Sequence, residues 1–141
     1  MVMHAKYFWE LGSCCFLALG VIHLYYTLFT NKFSSENQTL IENMKLSCPI
    51  ISKQTTMWNA WIGFNASHSI GAIFIGLINI YLTQRYFHYL KSDRLFLLFN
   101  ISIVLFYALL AKKYWFKIPF IGFLIALLSF IVAYFMLLLN I

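Results

Sequence analysis

A chain of 141 residues that is 62% hydrophobic, 20% aromatic and only 10% charged lies far outside the soluble globular range, where about 25% charged is usual. Its formal net charge of +6 comes from ten Lys and Arg that sit outside the apolar stretches or at their edges, a pattern suited to anionic lipid headgroups. These cations are dispersed among loops and form no compact basic surface, which excludes a nucleic-acid binder.

Four apolar stretches, 7–30, 57–83, 95–111 and 118–139, each approach the ~20 residues needed to cross ~30 Å of hydrocarbon. The expected fold is all-α: an integral membrane four-helix antiparallel bundle in one domain over 1–141, with both termini on the same side. The first stretch is not a signal peptide. Only Tyr7, Phe8 and Trp9 separate Lys6 from Glu10, and the apolar run continues past Cys14 to Phe29, so the segment stays as a helix. Cys14 and Cys15 are adjacent and point apart, while Cys48 is alone in a loop. They imply packing and no disulfide framework.

The connection 31–56 is the only sizeable polar segment, and its middle looks helical. Ser35 with Gln38 reads as a capping box, and Leu40, Ile41 and Met44 share a face before Pro49 ends the pattern. A short interfacial helix lying on the bilayer is the plain reading, and a lid over a cavity is the alternative.

In the second stretch, Trp58, Trp61, Asn65 and His68 fall three, four and three residues apart, so a helix gathers them into one stripe. They belong to the run W-N-A-W-I-G-F-N-A-S-H-S-I-G, Trp58 to Gly71, whose imidazole, amide and hydroxyls lipid cannot satisfy. Antiparallel helices share a depth where residue numbers sum to a constant. His23 and His68 give the same sum as the span ends Thr30 and Trp61, which places both rings ~10 Å below one interface. Gly63, Ser67 and Gly71 form a small-xxx-small ridge, suited to close helix packing or to room for a flat ligand.

The turn 86–94 offers Ser92 or Asp93 as a cap for the third helix, and Pro119 suits the first turn of the fourth. The third helix adds Asn100, Ser102 and Tyr107, and the fourth only Ser129 and Tyr134. Polar residues therefore concentrate in the first two helices. Beyond Glu10, near the interface, no carboxylate lies within the apolar stretches. Carboxylate-dependent proton pumping, a dinuclear carboxylate metal site and a paired-acid isomerase all lack their acids.

The candidate site is formed by His23, Asn65 and His68 with Tyr26, Thr27, Ser69 and Asn100, and Trp58 and Trp61 close its mouth. Three readings stay open. The site binds a lipid-like or quinone-like small molecule through His68 and Asn65. Alternatively, His23 and His68 are the axial ligands of haem b, or bind a metal ion. In the third reading the polar groups only fix helix pairing, or meet a partner subunit, in a structural or accessory protein.

The second-span pattern resembles that of a family of small, uncharacterised four-span bacterial membrane proteins, matched here by His23, Trp61, Gly63, Phe64, Asn65, Ser67, His68, Ser69 and Gly71. In size and layout the chain is also remotely similar to the DoxX-like group. The resemblance implies a multi-pass protein of the bacterial inner membrane and supplies no mechanism. Six Lys on the side of the first and third loops, against four Lys and Arg on the other, favour a cytoplasmic placement of those loops.

Overall fold

A computed structural model describes residues 2–139. They are 82% helical, with no strand among them. The elements are α1 (Val2–Phe29), α2 (Gln38–Leu46), α3 (Met57–Leu90), α4 (Arg94–Tyr114) and α5 (Lys117–Leu138). Among the described residues four helices, all but α2, are long and apolar enough to cross a membrane. Their outward side chains include Phe64, Phe74, Phe99, Phe106 and Ile118, each more than 60% exposed, which suits lipid as the surrounding solvent.

The described residues fall into two compact units. One is Gly20–Gly71; the other holds the residues up to Leu19 and those from Ala72 onward. In the larger unit, segments of α1, α3, α4 and α5 run up and down around one core. Trp9, Phe16, Leu97, Val104, Phe123 and Phe130 fill it. Phe16 meets Tyr107 and Phe123 edge-on at 5.2 and 5.0 Å, a favoured arrangement of ring quadrupoles. Trp9 stacks on Phe130 at 4.3 Å, and Gly12 and Gly76 admit neighbouring helices closely enough that a Cβ at either would lie under 3 Å from Phe130 or Leu17.

The same core holds an amide chain. Trp9 Nε1 donates to Asn79 Oδ1 at 2.9 Å, and Asn79 Nδ2 donates to Asn100 Oδ1 at 2.7 Å. The remaining capacity turns back on the parent helices, with Asn79 Nδ2 also donating to the Ile75 carbonyl and Asn100 Nδ2 to that of Phe96. Ser13, Thr83 and Ser129 each donate to the carbonyl four residues earlier, as intramembrane hydroxyls commonly do. Among the described residues no buried side-chain nitrogen or oxygen lacks a partner.

The element ends differ from expectation in several places: α1 begins at Val2 rather than 7, and α4 runs to Tyr114 rather than 111. The second span does not stop at Thr83; α3 continues to Leu90, with non-helical dihedrals at Tyr86, because the polar and aromatic belt from Gln84 onward is helical without being apolar. The cap of α2 is Asn37, whose Oδ1 accepts from the Leu40 N–H at 3.2 Å, while Ser35 Oγ accepts from the N–H of Asn37. Asp93 caps α4 as expected, accepting from the Phe96 N–H. A nine-residue helix such as α2 has little stability of its own. Asn37→Ala removes about 1 kcal/mol of it, and faster amide hydrogen exchange at Leu40 and Ile41, with α3 unaffected, is the expected readout.

Candidate functional site

The unit Gly20–Gly71 contains the end of α1, α2 and the start of α3. Here the two histidines meet. The His23 and His68 rings lie with centroids 5.7 Å apart and planes at 72°, an edge-to-face contact. Each is half-buried.

Asn65, one turn before His68, ties the helices together. His23 Nε2–H donates to Asn65 Oδ1 at 3.2 Å, and Asn65 Nδ2 donates to the Trp61 carbonyl at 2.8 Å. The second bond orients the amide so that its oxygen faces His23. That orientation requires the proton on His23 Nε2, since an amide oxygen only accepts. A metal or haem iron bound through Nε2 of His23 would have to displace this hydrogen bond. Among the described residues no group of three His, Cys, Asp or Glu is close enough to hold a metal ion.

The remaining expected residues surround this pair in different ways. Thr27 Oγ1 donates to the His23 carbonyl at 2.8 Å, and Ser69 Oγ to the Asn65 carbonyl at 2.7 Å. Both hydroxyl protons are therefore used within their own helices, one turn from the side chains they accompany. Tyr26 carries Lys32, whose Nζ lies 4.5 Å from the ring centroid and donates to the phenol oxygen at 3.4 Å. Trp58 and Trp61 stack at 5.6 Å with planes 19° apart, and Lys45 of α2 stands 5.6 Å from the Trp58 ring centroid. A tryptophan pair with a cation on its face is the usual furniture of a membrane interface.

Asn100 belongs to the larger unit, where its side chain takes Asn79 as partner. The residue that sequence reasoning missed beside the histidines is Phe33. Its ring lies 4.5 Å from that of His23 and 6.0 Å from that of Tyr26, so the loop after α1 covers one imidazole with an aromatic face. Nothing in the local sequence singled it out, because a loop residue has no periodicity to read.

Fold and site together define a small, all-α, multi-pass integral membrane protein with a histidine pair joined to an asparagine on two helices. No family model, curated protein or solved structure matches this chain.

Proposed function

We propose that the His23, Asn65 and His68 cluster binds the polar head of a lipid-like or quinone-like molecule, with His68 and Asn65 as its contacts and Trp58 and Trp61 beside the entry. The observation that carries this reading is the direct meeting of two imidazoles beside an oriented amide, on helices otherwise apolar enough to lie in lipid. Such a cluster supplies a donor and acceptors at a fixed depth, which is what orients a ligand with a carbonyl or hydroxyl head in an apolar surround. The aromatic lid of Phe33 over His23 supports the same reading. The cell compartment that goes with it is the bacterial inner membrane, with both termini on one side, in keeping with the second-span resemblance.

A specific observation favours a second reading, helix locking in a structural or accessory subunit. The His23–Asn65 bond joins α1 to α3, and Thr27 and Ser69 are satisfied without any ligand. Haem or metal ligation by His23 and His68 is the least favoured, because Nε2 of His23 is already a donor.

Native mass spectrometry of the gently extracted protein, beside a thermal melt, separates these readings. Under the binding reading His68→Ala loses a discrete co-purified organic mass and keeps a melt near that of the parent. A parent protein without any such mass, together with a His23→Ala melt that falls sharply, would leave helix locking as the role. Appearance of a Soret band would transfer the site to haem.

A further inference from the structure

We propose a second site, in the larger unit, that binds a phosphate group with net negative charge, carried by an anionic lipid headgroup or by free phosphate. It lies where the turn between α3 and α4 faces the last turn of α5. A cleft of about 230 Å³ opens there, lined by Lys91, Ser92, Arg94 and Tyr134 together with Leu97 and Leu137. This volume is several times the ~30 Å³ share of one water molecule, so a phosphate group fits.

The chemistry of the lining is one-sided. Two cationic residues, a serine and a tyrosine line one concavity, and neither cation is within ion-pairing distance of a carboxylate among the described residues. Asp93 is the nearest acid in sequence. It is turned toward α4, where Oδ1 accepts from the Phe96 N–H. That capping also means the first turn of α4 is partly satisfied already, so anion binding here depends on side chains. Arg94 offers planar paired donors to phosphate oxygens and Lys91 a mobile point charge.

Position selects the ligand class further. The cleft is at the ends of helices long and apolar enough to cross a membrane, and the ends of such helices meet the lipid headgroups. Basic pockets of this kind between helix ends accept anionic headgroups, and each Lys or Arg near the surface adds about 1 kcal/mol of attraction. The competing role for Lys91 and Arg94 is to face the last carbonyls of α5, a helix with no basic residue in its own last turn. Such a role would stabilise the helix end without selecting any lipid.

The test uses the full-length protein in a mild nonionic detergent, titrated with phosphatidylglycerol and separately with phosphatidylcholine, with bound lipid counted by native mass spectrometry. Phosphatidylglycerol is expected to bind first. Lys91→Gln with Arg94→Gln should weaken it about thirtyfold, while Lys112→Gln with Lys113→Gln, which removes as much charge at the opposite end of α4, should change it less than about twofold. Excess inorganic phosphate distinguishes the sources: displacement of the lipid assigns the site to phosphate itself, and retention assigns it to the lipid headgroup. Equal binding of the two lipids, or full retention by the Lys91 and Arg94 variant, overturns the proposal. Should that variant fail to fold, Ser92→Ala with Tyr134→Phe keeps both charges and is expected to weaken binding about threefold; unchanged binding there overturns it equally.

Discussion

Trp9→Ala is expected to cost about 3 kcal/mol of stability, the largest effect of any single truncation in the larger unit. The side chain is 1% exposed, stacks on Phe130 and donates to Asn79, so its removal opens a cavity beside a buried ring and takes a donor from a buried amide oxygen. This cost sits at the low end for a buried tryptophan because lipid is as apolar as the core. The transfer part of the hydrophobic term largely disappears, and lost dispersion contact carries the cost. Trp9→Phe separates the two contributions: it keeps a ring against Phe130 and loses only the indole N–H, for which about 0.6 kcal/mol is typical inside membranes. Unfolding in mixed micelles reads both variants. If Trp9→Ala lies within about 1 kcal/mol of the parent, the Trp9 packing described above is not what holds the unit together.

The four spans were legible because hydropathy is a property of composition over about 20 residues and needs no knowledge of neighbours. The shared depth of His23 and His68 was legible for a related reason, since depth along an antiparallel pair follows from residue number alone, whereas that their rings face each other was not. Asn65 entered as the residue one turn below His68 on the same stripe. Rotation about a helix axis is a different matter, and it decided the outcome for Asn100. That residue was grouped with the histidines as an intramembrane polar side chain, and its partner is Asn79, which lies in an apolar run and drew no attention. The cue that could have found it was the i, i+4 pair Asn79 and Thr83 together with Trp9 and Ser13, two polar pairs at matching depth on antiparallel helices. The hydroxyl groups that lipid cannot satisfy find their partners close at hand. Five buried Ser and Thr donate to the carbonyl four residues back, a local solution that any helix offers.

The glycines of α3 give the sharpest contrast, and Gly76→Ala and Gly63→Ala are expected to move stability in opposite directions. Gly63 opens the small-xxx-small ridge with Ser67 and Gly71, which suits either close helix packing or room for a flat ligand. A methyl group added at Gly63 would meet no atom within 4 Å. Substitution therefore brings only the helix-forming advantage of alanine, up to about 1 kcal/mol in water and less in lipid, where backbone exposure is already disfavoured. At Gly76 the same methyl carbon would lie 2.7 Å from the Leu17 nitrogen, 2.8 Å from its Cβ and 2.9 Å from its Cα. Two of those atoms are backbone, so no rotamer change relieves the clash and α1 must move away from α3. Overpacking of this kind costs about 1–3 kcal/mol. The displacement would also lengthen the Trp9 to Asn79 hydrogen bond, since Leu17 and Trp9 lie on the same α1 segment against the same stretch of α3. Tryptophan fluorescence alongside mixed-micelle unfolding should therefore report both a lower midpoint and an altered indole environment for Gly76→Ala. A Gly76→Ala protein as stable as Gly63→Ala would show that the close approach of α1 to α3 at Leu17 is not a feature of the folded state.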